Sequence, residues 1–235
     1  MSTRPSLHVL VTGANRGIGL EFTRQLLERG DRVTATCRHP GRAGALNALA
    51  AEHPGRLHVL PLDVADAKSH AELVRELPLV GGDVDLLINN AGVLHSGERF
   101  GHLTAENFED SFRTNAVGPL LLTQALAPHL TAGAKVVNLS SVLGSVASVD
   151  GFHTPSYAVS KAALNMVTAL LAQALVERAV TVLAFHPGWV MTDMGGSGAN
   201  VAAPESVAAM LRVINAATHA DSGRFLDRNG KRMPW

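Results

Sequence analysis

A single cysteine, Cys37, occurs among the 235 residues of the chain. One cysteine excludes a disulfide bond within the chain and any metal site built from several thiolates. The histidines do not show the His-Glu-x-x-His spacing of a helical zinc site, so we expect no bound metal. A lone cysteine is typical of proteins from reducing compartments, and the sequence therefore predicts a cytoplasmic location.

The sequence also lacks an excess of charge of either sign, since 20 Lys and Arg side chains balance 20 Asp and Glu side chains. This balance gives no reason to expect binding to nucleic acid or to an anionic membrane surface. The longest apolar helix candidate, 162–176, is interrupted by Asn165, Thr168 and Gln173, so we do not expect it to span a membrane. No repeat or linker divides the chain, and we expect residues 1–235 to form a single domain.

The chain does contain a regular alternation of apolar strands with helices. Seven short apolar runs predict strands at 7–11, 32–36, 57–60, 84–88, 135–139, 180–185 and 224–226. Helical patterns lie at 18–28, 43–52, 67–76, 104–129, 155–177 and 204–216. Because most strands are continuous apolar runs, both faces of their sheet should be covered. The pattern predicts a doubly wound, Rossmann-like parallel α/β sheet, which binds ligands at the carboxyl ends of its strands.

A glycine-rich loop, 12–19, joins the first strand to the first helix. Gly13 permits a tight turn, while Gly17 and Gly19 let the backbone approach a pyrophosphate and let the helix pack closely on the sheet. The helix N-terminus adds free N–H donors. The spacing is Gly-x-x-x-Gly-x-Gly, and its position after the first strand favours dinucleotide binding over an ordinary strand-to-helix turn.

The end of the second strand indicates which dinucleotide would bind. A carboxylate there would hold a ribose diol and favour NAD, whereas an Arg suits a 2′-phosphate. This strand ends without an acid and is followed by Arg38, and Arg16 lies in the glycine loop, so we expect NADPH rather than NADH. The alternative for each Arg is a solvated surface side chain. Asp63, after the third strand, is placed either to reach an adenine or to cap a helix.

Polar residues also follow the fourth strand. Asn89-Asn90-Ala91-Gly92 contains small residues that would let a cofactor lie against the backbone, and an Asn side chain there could hold a loop by bonding main chain. An ordinary Asn/Gly turn fits equally well. Asn115 lies within an apolar helix pattern, where it could kink the helix, bind a water molecule or be satisfied by main chain.

Tyr157, the only tyrosine, lies one helical turn before Lys161 on the same face. Thr154 and Pro155 predict the helix start, with a Thr cap and Pro at the first helical position. The Lys161 ammonium and the helix N-terminus should lower the pKa of Tyr157, which makes it a candidate proton donor or acceptor for a carbonyl or alcohol oxygen. The hydroxyl of Ser141 could hold the same oxygen. A half-buried ring beside a solvated cation is the alternative.

The motifs occur in order as Thr12-Gly13-x-x-x-Gly17-x-Gly19, Asn89-Asn90-Ala91-Gly92, Asn115, Ser141, Tyr157-x-x-x-Lys161 and Pro187-Gly188. Together they resemble the classical short-chain dehydrogenase/reductase superfamily. The segments 138–141, 186–196 and 230–235, and the sixteen-residue step from Ser141 to Tyr157, resemble its branch of C-factor-like and sniffer-like carbonyl reductases.

The resemblance implies an NADPH-dependent oxidoreductase that acts on a small carbonyl or alcohol. Tyr157 would be the general acid or base, Lys161 would lower its pKa and bind the nicotinamide ribose, Ser141 would orient the substrate oxygen, and Asn115 would support a proton-relaying water. The implied cofactor site comprises Gly13, Asn15, Arg16, Gly17, Ile18, Gly19, Arg38, Asp63, Val64, Asn89, Ala91, Gly92, Tyr157, Lys161, Pro187, Gly188, Val190 and Thr192.

Two segments depart from typical members of this family. The loop 143–154 is longer, and the glycine-rich segment 195–199 is short where many relatives carry a substrate lid, which predicts an open pocket that tolerates bulky carbonyl compounds. The resemblance leaves open a signalling or regulatory protein of C-factor type with incidental redox activity. The long apolar helices 104–129 and 155–177 leave a homodimer, a homotetramer or a monomer open.

Overall fold

The computed structural model describes residues 5–235, and its centre is one sheet of seven parallel strands. The strands are β1 (His8–Thr12), β2 (Arg32–Cys37), β3 (Leu57–Pro61), β4 (Val84–Asn89), β5 (Leu130–Leu139), β6 (Thr181–His186) and β7 (Arg224–Asp227). Their order across the sheet is β3-β2-β1-β4-β5-β6-β7. The predicted doubly wound α/β fold is confirmed, and each predicted strand lies within a residue or two of its observed bounds, except that β5 starts earlier.

Seven α-helices connect the strands of this sheet among the described residues. They are α1 (Gly17–Glu28), α2 (Gly44–Glu52), α3 (Ala67–Val80), α4 (Ala105–Phe112), α5 (Gly118–Leu126), α6 (Pro155–Ala174) and α7 (Ala203–Ala216). One apolar core joins α1, α2 and α7 to one face of the sheet, with Phe22 and Met210 fully buried. A second core joins α3, α5 and α6 to the other face, with Leu77 and Leu126 fully buried.

The strand order reverses between β1 and β4, which are neighbours in the sheet although β2 and β3 lie between them in sequence. Loops that leave the carboxyl ends of these two strands run to opposite sides of the sheet, and a crevice forms between them. The glycine loop follows β1 and the 89–92 segment follows β4. The topology therefore brings the two polar segments that the sequence singled out to one edge of the sheet.

The predicted continuous helix over 104–129 is interrupted in the structure. α4 ends at Phe112, a π-helical segment spans Arg113–Val117, and α5 begins at Gly118. Pro119 occupies the first turn of α5, where it has no N–H to donate to the carbonyl one turn earlier. The break therefore falls where a regular α-helical ladder would lose a hydrogen bond.

The predicted start of α6 is half right. Pro155 is the first helical residue, as expected, but Thr154 adopts a left-handed conformation with φ of 38° and its side chain accepts no capping hydrogen bond. The Thr cap that the sequence predicted is therefore wrong, because Thr154 is turned away from the extended conformation that a capping residue needs. Within residues 5–235, no helix is long and apolar enough to cross a membrane, and no cluster of side chains is suited to hold a metal ion.

Candidate active site

The glycine loop is packed so closely that side chains would not fit at two of its positions. A Cβ built on Gly13 would lie 2.8 Å from the Cα of Ala91, and Gly13 has a φ of 64°. A Cβ on Gly19 would lie 2.4 Å from both the Gly13 carbonyl oxygen and the Asn90 Nδ2. The loop after β1 and the loop after β4 thus meet backbone to backbone, and the first turn of α1 sits directly beneath them.

The N-terminus of α1 is open for an anion. Arg16 precedes the helix in an extended conformation, and among the described residues no side chain caps the first turn. The unpaired N–H groups of a first turn carry the positive end of the helix dipole, which is the arrangement that binds phosphate groups. The glycine loop thus has the geometry expected of a loop that binds a dinucleotide.

Asn90 holds the two loops together. Its Nδ2 donates to the carbonyl oxygens of Thr12, at 2.8 Å, and Gly13, at 3.1 Å. The Thr12 hydroxyl oxygen in turn accepts from the backbone N–H of Asn90 and of Ala91, both at 3.0 Å. Two alternatives were open for this turn, an Asn side chain that holds a loop through main-chain hydrogen bonds and an ordinary Asn/Gly turn. The structure shows the first, and Asn90 is the residue that makes these bonds.

Asn89 lies beneath the cleft rather than in its wall. Only 3% of its surface is exposed, because it is the last residue of β4 and points into the helical layer behind the sheet. Its Nδ2 donates to the Asn138 Oδ1 at 2.9 Å and to the Thr123 hydroxyl at 3.2 Å. Asn89 thus ties β4 to β5 and α5.

The cleft along this edge encloses about 750 Å³. Fourteen of the residues expected at the cofactor site line it, namely Gly13, Asn15, Arg16, Gly17, Ile18, Arg38, Asp63, Val64, Ala91, Gly92, Tyr157, Lys161, Pro187 and Thr192. The structure thus brings together residues from the ends of five strands. Gly19 is packed below the loop, as its contacts with Gly13 and Asn90 require.

Basic side chains gather where the cleft passes the end of β2. Arg16 and Arg38 are joined there by His39 and Arg42, which the sequence analysis did not include. Arg42 ends a turn in which its backbone N–H donates to the His39 carbonyl oxygen at 3.0 Å, and the Pro40-Gly41 pair is the sequence signal of that turn. Arg16 also forms an exposed ion pair with Asp193, with 3.0 Å between Nη1 and Oδ2. This end of the cleft is therefore positively charged.

Asp63 does not cap a helix. Its Oδ1 accepts from the backbone N–H of Ala65 at 2.9 Å, which closes a turn after β3. The cap of α3 is Asp66, which accepts from the backbone N–H of Lys68. Of the two roles the sequence left open for Asp63, capping is wrong, and Asp63 lies with Val64 in the cleft wall.

The loop after β6 forms the opposite wall of the cleft. The lining residues from this loop are Pro187, Met191, Thr192, Asp193 and Met194. Val190 is only 4% exposed and pairs with Val201 behind this wall. A Cβ built on Gly188, which has a φ of 87°, would lie 3.2 Å from the Val201 Cγ2, and Gly188 is not among the residues that line the cleft. Both residues therefore shape the wall from behind rather than face the cleft.

Tyr157 and Lys161 line the cleft, and Ser141, only 8% exposed, lies next to Ser140 in its wall. The Ser141 hydroxyl, which accepts from the Leu143 backbone N–H at 3.2 Å, lies near enough to Tyr157 to lower the pKa of its phenol. The Lys161 Nζ lies 5.4 Å from the centre of the Tyr157 ring and donates to the Leu139 carbonyl oxygen at 2.6 Å. Tyr157 keeps partial exposure to the cleft, whereas Lys161 is only 4% exposed. The alternative of a half-buried tyrosine ring beside a solvated lysine therefore does not hold, because Lys161 is buried.

The pKa of Tyr157 does not follow the expectation from sequence. Burial raises it to about 12, and the neighbouring Ser141 hydroxyl only partly offsets this. Burial also lowers the pKa of Lys161 to about 7. The expected lowering of the tyrosine pKa by a neighbouring ammonium is therefore wrong for this structure, because removal from water disfavours both the phenolate and the ammonium. Tyr157 is consequently a neutral phenol at neutral pH.

Asn115 lies in the π-helical segment, at the point where the helix pattern breaks. Its Oδ1 accepts from the Val93 N–H at 2.8 Å, and its Nδ2 donates to the Val93 carbonyl oxygen and to the Ser160 hydroxyl, each at 2.9 Å. The Ser160 hydroxyl donates to the Tyr157 carbonyl oxygen at 2.7 Å. Main chain therefore satisfies most of this amide, as one alternative for Asn115 anticipated, and π-helical segments often occur at functional sites.

The parallel sheet, the glycine loop and the Ser141–Tyr157–Lys161 cluster together define a Rossmann-type nucleotide-binding oxidoreductase. Residues 7–200 match the family model of the short chain dehydrogenases. The C-signal protein of Myxococcus xanthus is 42% identical over 156 residues, which cover 66% of this chain and 94% of that protein.

Two solved structures are similar over almost the whole chain. The NADPH-bound carbonyl reductase from chicken fatty liver is 39% identical, with a TM-score of 0.93, and the match covers 99% of this chain and 100% of that one. The carbonyl reductase Sniffer of D. melanogaster is 30% identical, with a TM-score of 0.93, over 98% of this chain and 100% of that one. The protein belongs to the short-chain dehydrogenase/reductase family and is an oxidoreductase, which confirms the resemblance seen in the sequence.

Proposed function

We propose that this protein is an NADPH-dependent carbonyl reductase that reduces ketones or aldehydes. The observation that carries the proposal is that Tyr157 and Lys161, with Ser141 beside Tyr157, line the same cleft as the glycine loop. A phenol with a neighbouring hydroxyl can donate a proton to a carbonyl oxygen that the hydroxyl also holds, while an adjacent nucleotide acts on the carbonyl carbon.

The cleft fits a dinucleotide phosphate. The uncapped first turn of α1 would bind the pyrophosphate, and the close packing at Gly13 and Gly19 leaves the backbone as the binding surface. Arg16, Arg38 and Arg42 would bind a 2′-phosphate, which supports NADPH over NADH. The bound NADPH of the chicken carbonyl reductase supports the same choice.

The cofactor, when bound, supplies the hydride, and the residues of the chain manage the proton. The Ser141 hydroxyl would donate a hydrogen bond to the substrate oxygen and fix its position beside Tyr157. Tyr157 would then donate its hydroxyl proton to that oxygen. The carbonyl thus becomes an alcohol: its π bond is lost, the C–O single bond remains, the carbon gains a hydrogen as hydride and the oxygen gains the tyrosine proton. Lys161 would stabilise the resulting phenolate and return a proton to it, and Asn115 would support the water through which that proton arrives.

The protonation state of the cluster favours reduction. Because burial holds the pKa of Tyr157 at about 12, the side chain carries the proton that reduction consumes. Oxidation of an alcohol would need the phenolate, which is scarce at neutral pH.

The substrate would be a bulky or apolar carbonyl compound. Two exposed apolar side chains of the loop after β6, Met191 and Met194, line the cleft and are at least 42% exposed, and Trp189 on the same loop is 55% exposed. Phe152, on the long loop before α6, is 52% exposed. No helix longer than a few residues covers this edge between β6 and α7 in the described chain, and apolar surface at a site edge favours substrates with large hydrophobic groups.

A panel of aromatic and aliphatic ketones and aldehydes tests the proposal. NADPH oxidation should depend on substrate, exceed the rate with NADH, and fall sharply in a Tyr157→Phe variant that still binds NADPH. No turnover on any panel member, with NADPH bound, would refute the proposed reaction.

A signalling or regulatory role is the second candidate, and the 42% identity to the C-signal protein favours it. In that role the protein would bind NADP(H) with negligible turnover. Its regulatory effect would depend on whether the cofactor is bound. A cellular effect that survives Tyr157→Phe but is lost when the glycine loop is disrupted would select this candidate over the reductase.

The chain would act as a single cytoplasmic domain that assembles as a homodimer. Its buried free thiol, Cys37, fits a reducing compartment. On α6, Val159, Met166 and Leu170 are each at least 52% exposed and lie on one side of the helix, which supports a second copy packing there. Light scattering tests this, because a mass equal to the 24.7 kDa chain would refute the dimer.

A further inference from the structure

Helix α6 carries both Tyr157 and Lys161, yet its N-terminus has no cap of its own. Thr154 is left-handed, and its buried hydroxyl has no partner among the described residues. The first backbone N–H groups of a helix need acceptors from outside the helix. The residue at the usual capping position does not supply one, so the position of the first turn depends on another part of the chain.

Glu98 supplies that acceptor from the loop after β4. Its Oε2 accepts from the Ser156 backbone N–H at 3.2 Å and from the Ser156 hydroxyl at 2.9 Å. The two residues are 58 positions apart in sequence. A carboxylate at a helix N-terminus interacts favourably with the helix dipole, and its hydrogen bonds are stronger than those between neutral groups. Ser156 is only 1% exposed, so these bonds lie away from water.

The same serine also joins a third element. The Ser111 hydroxyl, on α4, donates to the Ser156 hydroxyl oxygen at 3.2 Å, and Ser111 is fully buried. The proton order is consistent, since Ser111 donates to Ser156 and Ser156 donates to Glu98. Upstream in the same loop, Val93 is held by both groups of the Asn115 amide. The loop from 93 to 98 is thus fixed at both ends against the helices that surround the catalytic cluster.

We propose that Glu98 is a positioning residue for the catalytic tyrosine: its carboxylate fixes the first turn of α6, and so holds the hydroxyl of Tyr157 beside Ser141. Glu98 acts through Ser156, the residue before Tyr157, and does not itself touch the cleft. The proposal rests on the proposed function in one respect, namely that Tyr157 is the proton donor.

Replacement of Glu98 tests the proposal. Glu98→Ala leaves the Ser156 N–H and hydroxyl without their acceptor, and the first turn gains freedom to shift. Since a displacement of about 1 Å at a reacting group can cost about a hundredfold in rate, we expect kcat to fall by about tenfold to a hundredfold. The dissociation constant of NADPH should change by less than about threefold, because the glycine loop is untouched. Glu98→Gln, which keeps an acceptor oxygen, should restore most of kcat.

The matched control is Glu109→Ala, which removes an exposed carboxylate from α4 and should leave kcat unchanged. Rates are expressed per NADPH-binding site, so that a loss of folded protein is not counted as a loss of rate. If Glu98→Ala lowers only the melting temperature, with kcat per site at the wild-type value, the role is structural and the proposal is overturned.

A second readout does not depend on activity. Tyr157 is the only tyrosine, so the ultraviolet change on rapid pH jumps, corrected with Tyr157→Phe, reports its ionisation alone. In Glu98→Ala the ionisation midpoint of Tyr157 should move from about 12 towards the ordinary value of about 10, because a loosened turn increases the contact of the phenol with water. An unchanged midpoint in Glu98→Ala would overturn the proposal even if the wild type reduced no carbonyl compound.

If Glu98→Ala does not fold, Glu98→Asp replaces it. This variant keeps the carboxylate but shortens its reach to Ser156 by one methylene. We therefore expect kcat to fall and the ionisation midpoint of Tyr157 to move towards about 10, as in Glu98→Ala. Wild-type values for both in Glu98→Asp would overturn the proposal.

Discussion

The contact between Gly19 and Asn90 supports a quantitative prediction about the glycine loop. Gly19→Ala would place a methyl group 2.4 Å from the Gly13 carbonyl oxygen and from the Asn90 Nδ2. An ordinary contact begins at 3.4 Å, so the overlap is about 1 Å against backbone on one side. The Asn90 side chain cannot give way without losing its hydrogen bond to Gly13.

The expected cost follows from these contacts. Forcing an extra methyl into a packed site costs about 1–3 kcal/mol, and the lost hydrogen bond about 0.5–1.5 kcal/mol more. We therefore expect Gly19→Ala to lower the free energy of unfolding by about 2–4 kcal/mol. For a chain of this size this corresponds to a fall of about 4–16 °C in the melting temperature.

Cofactor affinity should fall in the same variant, because relief of the overlap moves the loop that would hold the pyrophosphate. If about 1.4 kcal/mol of this strain weakens the free energy of NADPH binding, the affinity for NADPH falls tenfold. Thermal unfolding and NADPH fluorescence titration measure the two effects. Gly44→Ala is the control, since Gly44 is exposed at the start of α2 with nothing within 4 Å of a Cβ. If Gly19→Ala matched this control in both assays, the packing argument would be refuted.

Three further predictions concern charge and protonation. Burial lowers the pKa of His8, so below about pH 6.5 the unfolded chain binds more protons than the folded one, and the free energy of unfolding should decline as pH falls. Measured by urea unfolding, the free energy of unfolding of His8→Asn should decline less steeply with falling pH than that of the wild type. Equal slopes for the two proteins would contradict this. Arg38→Ala should weaken NADPH binding by about tenfold or more and leave NADH binding unchanged, as measured by titration; equal losses would show that Arg38 does not contact the 2′-phosphate. Asp193→Asn removes the exposed ion pair of Arg16, so the affinity for NADPH should rise by no more than about fivefold at low salt. High salt screens the charges and should abolish this gain. A fall in the affinity would mean that Asp193 helps to close the cleft.

The sequence was sufficient for features that repeat locally. Continuous apolar strands between helical patterns predicted the sheet, and β1, the glycine loop and α1 followed from a five-residue apolar run next to three glycines. Tyr157 and Lys161 were placed on one helix face because their spacing of four residues fixes that relation wherever the helix packs. These predictions needed no knowledge of distant contacts.

Features that depend on distant contacts were missed or misjudged. The partner of the α6 N-terminus is Glu98, which no local pattern links to Ser156. Thr154 has a residue type that favours capping, but the chain that enters α6 turns it left-handed. The pKa of Tyr157 was misjudged because the effect of Lys161 was visible in the sequence and the extent of burial was not.

Adjacent asparagines could not be told apart by sequence either. Asn90 bonds the glycine loop, whereas Asn89 completes β4 and faces Asn138. Side chains alternate between the two faces of a strand, so the assignment depends on where β4 ends. A shift of one residue would exchange their roles.

The account depends most on Tyr157 as the proton donor, and one comparison tests this directly. With NADPH and a carbonyl compound that the wild type reduces, Tyr157→Phe should lower kcat by about 10² to 10⁴, the usual contribution of a positioned general acid. Its NADPH dissociation constant should stay at the wild-type value, because the glycine loop and Lys161 are unchanged. A Tyr157→Phe enzyme that binds NADPH and keeps most of the wild-type kcat would contradict the account.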